Sequence, residues 1–582
     1  MNLFSEYHIK ITKFLKKIEK KEKIVLPNKT DQITFEPPPK NLTGDMSTNL
    51  LFVISRINKT SPMIIGEKIS SLIKKEFKEF EKIEVKKPGF INFYFTNNFW
   101  RKYINTLIKL NKKYGINKTS KRKINVEFVS ANPTGPLHVG HCRGAILGDV
   151  ISNLLEFNGN KVTREYYIND FGKQIDNFVQ SVHLRINEIL FNEKFEIKEN
   201  LYPGEYIIDI AKLILSKKNI KNLKDLEKNK STIKTIALNH VMSLVKKDLH
   251  SLGVQHNKFI SENDLVKNKE INKAIKKLEK KNLIYEGKLN APKSNEGFGT
   301  SKNLCLFKSS QFGDDVDRAL QKSNGDYTYF AKDIAYHLDK YKRGFNFMIN
   351  VWGADHAGYI RRLTSAVKAI TKHKANLTVK ICQLVKIIDN KETLKMSKRE
   401  GKFISLSRVL KNVGKDVTRF IMLLRKNNED IDFDLQKITE ESKDNPVFYV
   451  QYAHARCCSV LRETKNYFNP KEISLTEIKK NDLKKLNDPN EISLIKEIVK
   501  WPKILEDAVC YHEPHRISFF LQSLASKFHS FWNYGKKDSS KRFITIENKE
   551  LTISRLSLIY SVKIVLNNGL NLLGVKSLQE MR

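Results

Sequence analysis

Two histidines before a predicted helix are the residues of this chain whose types and spacing best fit chemistry. They lie in the run His138-Val139-Gly140-His141, after a predicted strand. Three residues apart at a helix start, both side chains point toward the end where unpaired N–H groups and the helix dipole favour anions. Gly140 leaves the backbone bare, so that a flat ring could lie against it. The run therefore fits a nucleoside triphosphate site, in which the histidines donate to phosphate charge that shifts during the reaction.

The same four residues could also be ordinary helix histidines or a pair of metal ligands. The loop before them favours a ligand, because residues 130–136 include two prolines and a glycine and cannot be helical. This loop follows the carboxyl end of a strand in a predicted parallel sheet, which is the edge where such sheets bind ligands.

A run of cations, Lys395-Met396-Ser397-Lys398-Arg399, precedes a glycine loop about 250 residues further on. A cation run is usually a solvated turn. Flexible lysines beside a glycine are also what a mobile loop would use to neutralise a triphosphate. The order and spacing of the two motifs favour this second interpretation.

Strands alternate with helices around both motifs. We predict strands at 124–129 and 345–351, and the first is followed by a helix from about Val139 to Phe157. Such alternation predicts an α/β fold with a doubly wound parallel, Rossmann-like sheet. A lysine-rich stretch at about 180–300 is interpreted as a helical insertion in this sheet domain.

The length of 582 residues exceeds what one hydrophobic core supports, and changes of pattern indicate three domains. Residues 1–115 open on an amphipathic helix and contain the β-prone aromatic run 90–95, which predicts a small α+β domain. The Rossmann-like domain then covers 120–444. Helical periodicity dominates 445–582, which predicts an α-helical domain.

Composition indicates a soluble, basic protein. Lys and Arg number 104 against 64 Asp and Glu, a formal charge of +40, and 40% of the residues are hydrophobic. The hydrophobic share excludes a disordered chain. The charge predicts attraction to a polyanion such as nucleic acid, unless a compositional drift toward lysine explains it.

The sequence gives little indication of a structural metal site, a disulfide framework or a membrane-spanning segment. The six cysteines are too sparse for a disulfide framework and form no C-x-x-C pair, so no structural metal is expected. Residues 1–23 lack the apolar core of a signal peptide, and no apolar run is long enough to cross a bilayer. We therefore expect a reducing, cytoplasmic setting and no membrane partner.

The two motifs resemble the "HIGH" and "KMSKS" signatures of class I aminoacyl-tRNA synthetases, and the segments around them are similar to those of the arginyl-tRNA synthetase family. The resemblance covers almost the whole chain in the order of the family. The segments that carry it are 130–137, 170–172, 312–315, 327–333, 352–356, 445–456 and 572–575.

The resemblance implies a ligase that converts L-arginine and ATP to arginyl-adenylate and pyrophosphate, and then passes the arginyl group to the 3′ end of tRNA(Arg) in protein synthesis. Positioning and charge stabilisation would do most of the work. Mg²⁺ would arrive with ATP, held chiefly by phosphates and water. The implied catalytic residues are His138, His141, Lys395 and Lys398. The implied ATP contacts are Pro133, Thr134, Gly135, His138, Gly140, His141, Met396, Ser397 and Lys398.

Arginine recognition needs fixed anions that face a planar guanidinium. Two of the residues implied by the family, Tyr329 and Asp333, stand four apart on a predicted helix and so share a face. The alternatives are a solvated strand end for Glu127 and a surface salt bridge for Asp333. The implied arginine contacts are Glu127, Asn132, Tyr329, Asp333, Asp355 and His356, of which the last two could touch the amino acid or the ribose.

The resemblance also implies RNA contacts in both flanking domains. The N-terminal domain of the family grips the tRNA elbow and the helical domain binds the anticodon, through stacking and phosphate contacts of the type that RNA loops require. An aromatic stripe could equally be core. The implied tRNA contacts are Phe90, Asn92, Phe93, Tyr449, Tyr452 and Arg456. A monomer is the expected state.

Two other functions fit parts of the sequence. A small-molecule nucleotidyltransferase also uses an H-x-G-H turn to bind ATP, but it explains neither the length nor the basic flanking domains. A catalytically silent RNA-binding paralogue would have no physical reason to keep both histidines of the first motif and both lysines of the second.

Overall fold

The structure is a computed structural model of the chain, and it consists of two compact units. The first unit comprises residues 1–118 and 442–582, and the second comprises residues 119–441. The residues that the structure describes are 2–39, 43–116, 121–193, 195–196, 200–218, 220–288, 303–389, 392–394, 404–440, 445–481 and 483–581.

The N-terminal part of the first unit combines four helices with a small sheet. Its elements are α1 (Leu3–Glu22), β1 (Phe35–Glu36), β2 (Met46–Thr48), α2 (Leu50–Asn58), α3 (Pro62–Glu76), β3 (Phe80–Lys86), β4 (Phe90–Phe95) and α4 (Asn97–Leu110). The sheet is antiparallel in the order β1-β2-β4-β3. The aromatic run of β4 occupies an interior position in this sheet, where rings pack well on a pleated surface.

The second unit contains eleven strands among its described residues. They are β5 (Lys123–Glu127), β6 (Lys161–Ile168), β7 (Lys258–Ser261), β8 (Ile284–Gly287), β9 (Leu304–Phe307), β10 (Arg318–Ala319), β11 (Phe347–Gly353), β12 (Asn376–Cys382), β13 (Val385–Asp389), β14 (Glu392–Leu394) and β15 (Ile431–Asp434). Its α-helices are α5 (Val139–Phe157), α6 (Lys173–Phe191), α7 (Glu205–Lys217), α8 (Leu223–Lys228), α9 (Lys230–Ser251), α10 (Glu262–Lys267), α11 (Glu270–Glu279), α12 (Tyr329–Lys342), α13 (Ile360–Thr371), α14 (Leu406–Val413), α15 (Lys415–Ile421) and α16 (Leu435–Thr439).

A five-stranded parallel sheet in the order β12-β11-β5-β6-β7 forms the centre of this unit. The chain proceeds from β5 to β6 and β7 on one side, and later returns to the other side of β5 with β11 and β12. The strand order thus reverses between β5 and β11, and the carboxyl edge at such a switch point is where open α/β sheets bind ligands.

Two small sheets accompany the parallel one. β8, β9 and β10 form an antiparallel sheet in the order β10-β9-β8. In the other, β13 pairs with β14 antiparallel and with β15 parallel. β14 is the strand that leads directly into the second motif.

The stretch expected to be a helical insertion is not all helical. It contains β7, which adds an edge strand to the parallel sheet, as well as β8. β7 and β8 have four residues each. A strand this short contains too few residues for the alternation of apolar and polar side chains to be recognised in the sequence.

The C-terminal part of the first unit is helical throughout its described residues, apart from turns. Its α-helices are α17 (Pro446–Glu463), α18 (Leu475–Lys480), α19 (Pro489–Val499), α20 (Trp501–Tyr511), α21 (His515–Lys537) and α22 (Lys549–Leu573). By length and a mean hydropathy of 1.2, α22 could cross a bilayer, but 78% of its apolar window is buried inside the protein. A helix that is buried to this extent is typical of a protein core.

The two terminal segments of the chain, expected as separate domains, belong to one compact unit. Buried and charged contacts join them. The fully buried Trp501 donates its Nε1–H to Tyr114 O at 3.2 Å, and Lys496 pairs with Asp45 at 2.6 Å. Contacts between residues several hundred positions apart leave no local pattern from which this grouping could be predicted.

Candidate active site

His138 and His141 close the N-terminal end of α5 with a reciprocal cap. His138 Nδ1 accepts the backbone N–H of Gly140 at 3.1 Å, and His141 Nδ1 accepts the N–H of His138 at 3.3 Å. Because Nδ1 accepts in both rings, each neutral imidazole carries its proton on Nε2. A Cβ at Gly140 would stand 2.9 Å from His138 Cε1, so the ring of His138 lies over the bare backbone at this position.

The loop between β5 and α5 holds strained backbone. Val129 and Ser130 have φ of +70° and +40°, a region that residues other than glycine rarely adopt. Ser130 Oγ donates to Glu127 Oε1 at 3.1 Å and accepts the N–H of Tyr167 at 3.1 Å, which holds the turn in place. Strain of this kind persists only where neighbours over-determine it, and it clusters at functional sites.

The next residues of this loop are packed rather than exposed. Pro133, Thr134 and Gly135 are buried, and Tyr206 donates its hydroxyl to Thr134 O at 2.7 Å. A Cβ at Gly135 would meet that hydroxyl oxygen at 2.8 Å. Glycine is therefore the residue that lets Tyr206 lie against the loop.

The second motif, with Lys395, Met396, Ser397 and Lys398, lies outside the described residues, but both of its flanks are described. β14 ends at Leu394, directly before it. After it, Val139 donates its N–H to Ile404 O at 3.4 Å, and Leu406 donates to Leu137 O at 2.9 Å. Ser405 and His138 form the bridge between these two bonds. The chain thus rejoins the histidine motif six residues after Lys398.

Asp333 is half-buried on the first turns of α12 and accepts the hydroxyl of Tyr359 at 2.7 Å. Burial raises the pKa of the Asp333 carboxyl to about 7; the Tyr359 hydrogen bond opposes this, and the neighbouring Glu127 and Glu262 add to it. The pocket therefore destabilises this anion in the absence of a cationic ligand.

Buried hydrogen bonds connect Glu127 to the backbone of Asp333. Lys340, which is fully buried, donates to Glu127 Oε2 at 2.6 Å and to Asn350 Oδ1 at 3.2 Å. Asn350 Nδ2 donates to His337 Nε2 at 3.0 Å, and His337 Nδ1–H donates to Asp333 O at 2.8 Å. Burial lowers the pKa of His337 well below its ordinary value, which fits a neutral ring with one donor and one acceptor. Glu127 is therefore a buried, paired carboxylate and not a solvated strand end.

Carboxylates outnumber cations around this pocket. Burial raises the pKa of the Tyr167 phenol well above its ordinary value, and four nearby negative charges raise it further. These four are Glu262, Asp333, Glu127 and Asp170. Three cations oppose them: Lys340, Lys332, which pairs with the buried Glu262 at 2.6 Å, and Arg362, whose charge interacts with that of Asp333. The surplus of negative charge favours a cationic ligand.

The other predicted arginine contacts lie nearer the surface of the same unit. Tyr329, the first residue of α12, is 62% exposed. Asp355 and His356 follow β11 in a short 3-10 helix, with side chains 78% and 62% exposed and 3.4 Å apart. Asn132 donates its Nδ2 to Gln174 Oε1. Because β5 and β11 are adjacent parallel strands, the residues that follow them share the carboxyl edge with the start of α5.

Two of the three predicted RNA contacts in the N-terminal sheet are closed to a ligand in this conformation. Asn92 has no exposed surface and accepts the hydroxyl of Ser47 at 2.8 Å, and Phe93 is equally buried in the core. Phe90 is half-buried, with its ring edge-on to Phe52 at 5.0 Å between centroids. Burial therefore removes Asn92 and Phe93 from the surface that RNA could reach.

A cluster of rings surrounds Arg456 on α17. Its guanidinium lies 4.1 Å from the ring centroid of Tyr452 and 5.0 Å from that of Trp532. Arg456 Nη1 donates to His529 Nδ1 at 2.9 Å, and His529 Nε2–H donates to Tyr449 O at 3.1 Å. Burial lowers the pKa of His529 to about 4, so that the ring is neutral and can accept from the arginine. The cluster presents half-buried aromatic faces with one fixed positive charge.

Three family models match the chain in consecutive segments. The N-terminal domain of arginyl-tRNA synthetase matches residues 5–95. The catalytic domain of class I tRNA synthetases (R) matches residues 103–459, which is more than half of the chain. The DALR anticodon binding domain matches residues 450–581.

The chain belongs to the arginyl-tRNA synthetases. Two curated relatives, each named arginine–tRNA ligase, agree with this over the full length. The protein from Pelagibacter ubique is 45% identical over 585 residues, and the one from Bartonella bacilliformis is 44% identical over 588; each alignment covers 100% of both chains. The family predicted from the motifs is thus confirmed, and this arginyl-tRNA synthetase is an aminoacyl-tRNA ligase.

Solved structures share the fold. Arginyl-tRNA synthetase from Thermus thermophilus superimposes with a TM-score of 0.71 at 20% identity, and that from Plasmodium falciparum with a TM-score of 0.69 at 18% identity. Both comparisons cover 100% of each chain. The predicted fold class, a doubly wound parallel sheet with an α+β N-terminal part and a helical C-terminal part, is confirmed.

Several pocket residues of this synthetase lie outside the sequence motifs. Lys340 and His337 hold the buried chain between Glu127 and Asp333, although neither belongs to a motif. A signal was present: Asp333, His337 and Lys340 recur at i, i+4 and i+7, a polar stripe on a helix whose other inward positions are apolar. The remaining unrecognised pocket residues are Asn350, Tyr359 and Glu262.

Proposed function

We propose that this synthetase activates L-arginine with ATP to arginyl-adenylate and transfers the arginyl group to the 3′ end of tRNA(Arg). The observation that carries the proposal is the acidic pocket at the carboxyl edge of the sheet. There buried hydrogen bonds run from Glu127 to the backbone of Asp333, and four carboxylates stand against three cations. A guanidinium is a planar cation that pairs with carboxylates through parallel N–H bonds, so this pocket suits arginine.

ATP is proposed to bind at the N-terminal end of α5. The Nε2–H groups of His138 and His141 and the helix dipole there suit phosphate charge. Lys395 and Lys398 are proposed to neutralise the pyrophosphate as it leaves, and the flanks of their segment are tied to β13 and to His138. Mg²⁺ would enter with ATP as part of that substrate, held chiefly by phosphates and water. The remaining proposed ATP contacts are Pro133, Thr134, Gly135, Gly140, Met396 and Ser397.

The reaction needs positioning more than covalent chemistry from the protein. In the first step the arginine carboxylate attacks the α-phosphorus of ATP, and pyrophosphate departs with the bonding electrons. In the second step a ribose hydroxyl at the 3′ end of the tRNA attacks the carbonyl carbon of the adenylate, and AMP departs. Fixed donors at the end of α5 stabilise the charge that moves onto phosphate oxygens during the first step.

The guanidinium is proposed to pair with Asp333, while Glu127, held by Lys340, completes the negative wall of the pocket. Arrival of the cation would favour the ionised form of Asp333, whose pKa burial raises to about 7. Tyr329 and Asn132 are proposed to line the mouth of this pocket. Asp355 and His356 are proposed contacts for the amino acid or the ribose.

tRNA is proposed to contact both parts of the first unit. In the C-terminal part, Tyr449, Tyr452 and Arg456 lie at the start of the segment matched by the anticodon binding domain. Aromatic faces and a guanidinium are the groups on which unpaired bases stack. In the N-terminal part, Phe90 remains a proposed contact. The enzyme is further proposed to act as a monomer in the cytoplasm, and a mass of two chains by light scattering would contradict the monomer.

One assay tests the function as a whole. Purified protein is incubated with ATP, labelled arginine and total tRNA, and acid-precipitable label is counted. Label that depends on all three components is expected. A nucleotidyltransferase would turn over ATP without charging tRNA, and a silent RNA-binding protein would bind tRNA without producing label.

A further inference from the structure

A tyrosine at the carboxyl end of β6 faces the helix that carries Asp333. Tyr167 lies two residues after Glu165, so both side chains are on the same face of the sheet. Glu165 accepts the hydroxyl of Tyr336 on α12 at 2.8 Å, and the ring centroids of Tyr167 and Tyr336 are 4.4 Å apart, with the planes inclined by 32°. Asp333 precedes Tyr336 by three residues and shares its helix face. Tyr167 therefore lines the same pocket as Asp333.

Both the backbone and the ring of Tyr167 are held in place. Ser130 Oγ accepts the N–H of Tyr167 at 3.1 Å and donates to Glu127 Oε1 at 3.1 Å, which joins the tyrosine to the second acidic residue of the pocket. The ring rests on a fixed neighbour, because Tyr336 is 1% exposed and Lys340 Nζ lies 4.4 Å from the centroid of Tyr336. The pocket thus presents the ring of Tyr167 in one orientation.

One face of this ring is open to a ligand. Tyr167 is half-buried, and among the residues that the structure describes only the ring of Tyr336 lies against it, with no lysine or arginine over its other face. The carboxylates around the phenol are those of Glu127, Asp170, Glu262 and Asp333. An aromatic face carries partial negative charge, and a guanidinium stacks on such a face as a planar cation. An open ring face among carboxylates is therefore suited to a planar cation.

We infer that Tyr167 binds the guanidinium of arginine on its ring face, while Asp333 pairs with the edge of the same group. The inference deepens the proposed function and rests on it, because it takes the acidic pocket to be the arginine site. A guanidinium has its N–H donors around its edge and none on its face, so a carboxylate and a ring bind it at the same time. The two contacts together recognise charge and planarity in one group.

Two replacements of Tyr167 separate its ring from its hydroxyl. A desolvated cation–π contact contributes about 5- to 30-fold to affinity, so Tyr167→Leu should raise the KM for arginine in the charging assay by that factor. The kcat should change by less than about threefold, because the contact is the same in the ground state and the transition state. Tyr167→Phe keeps the ring face and should change the KM by less than about threefold. A rise in Tyr167→Phe as large as that in Tyr167→Leu would assign the effect to the hydroxyl and overturn the inference.

A graded series separates attraction by the ring from a role in packing. Phenylalanine and its mono-, di- and trifluorinated forms are incorporated at position 167, since fluorine withdraws electron density from the ring face with little change of shape. Each added fluorine weakens the attraction to a cation, so the logarithm of the arginine KM should rise with the number of fluorines while the KM for ATP stays constant. An arginine KM that does not follow the number of fluorines would overturn the inference. Because the shape of the ring is kept, this series decides the question even if Tyr167→Leu does not fold.

A matched control is Phe259→Leu on the neighbouring strand β7. Phe259 is also half-buried, and it pairs in register with Tyr166 of β6, with 5.4 Å between the two ring centroids. Its replacement should lower the melting temperature and change the KM for arginine by less than about twofold, because it removes packing without a pocket contact. A rise in KM equal to that of Tyr167→Leu would mean that the loss of any ring from this part of the sheet disturbs the pocket, and would overturn the inference.

Charging by the unaltered protein distinguishes the two ways in which the inference can fail. If that protein does not charge tRNA with arginine, the proposed function and the inference fall together. If it charges tRNA with arginine and the KM is insensitive to the ring at position 167, the inference alone falls.

Discussion

At the scale of single residues, Asp333 is the proposed partner of the arginine guanidinium, in a pocket where burial raises the pKa of its carboxyl to about 7. Asp333→Asn keeps nearly the same shape and removes the charge. A charge-assisted pair is worth roughly 1.5–3 kcal/mol, so the apparent affinity for arginine should fall by about tenfold to over a hundredfold. The KM for ATP should change little, and discrimination against citrulline, the neutral isostere, should weaken in parallel.

The control for Asp333→Asn is Asp339→Asn on the same helix. Asp339 pairs with Arg343 at 2.8 Å in a half-exposed ion pair, so its replacement should cost at most about 1 kcal/mol of stability and leave the KM for arginine unchanged. Steady-state kinetics with both amino acids measure the outcome. An unchanged arginine KM in Asp333→Asn would make Glu127 the leading partner of the guanidinium.

The raised pKa of Asp333 predicts a pH dependence of arginine use. With a pKa of about 7, the carboxyl is protonated below that pH, and the charge that the guanidinium needs is lost. The kcat/KM for arginine should fall by about tenfold per pH unit below about 7, and this component should be absent in Asp333→Asn. The same shift affects stability in the opposite sense: the unfolded chain releases this proton first, so the contribution to stability decreases as pH rises from about 4 to 7. A wild-type profile that is flat across pH 7 would contradict the prediction.

At the scale of elements, the N-terminal end of α5 carries a structural cap and is also the proposed phosphate site. His141→Ala removes the bond to the N–H of His138, which should lower stability by about 1 kcal/mol. It also removes an imidazole donor, which should slow adenylation by about 10²-fold or more with tRNA affinity nearly unchanged. His141→Gln separates the two effects, because glutamine at this position can still close a capping box. Melting temperature should recover in His141→Gln while adenylation stays slow; near-normal turnover in His141→Ala would remove the histidine from the mechanism.

At the scale of the whole molecule, the charge of +40 predicts attraction to a polyanion such as tRNA. tRNA affinity should therefore fall steeply with salt, because each phosphate contact releases counterions. Arg456→Met should reduce the slope of log affinity against log salt by about one if Arg456 contacts a phosphate. Filter binding at salt concentrations from about 50 to 200 mM measures both slopes. An affinity that is flat over this range would mean that the basic composition is a drift toward lysine.

The sequence by itself determined the features that local order encodes. α5 spans Val139–Phe157 and β4 spans Phe90–Phe95, as their patterns predict. The bounds of such elements are predictable because the residues that form an element, and the loop or turn that ends it, are close together in the sequence. The order of the motifs likewise determined the family, since residues that act on one substrate keep their types and spacing along the chain.

Only the tertiary structure decided which side chains are inside and which distant groups meet. Lys340 reaches Glu127 across 213 positions, and Arg143 reaches Gln383 across 240, and neither pair leaves a period in the sequence. Asn92 has the residue type of an RNA contact, yet the sheet buries it against Ser47. Burial and long-range pairing depend on how the elements pack against one another. The sequence pattern shows only which face of each helix or strand is apolar, and not which other element that face contacts.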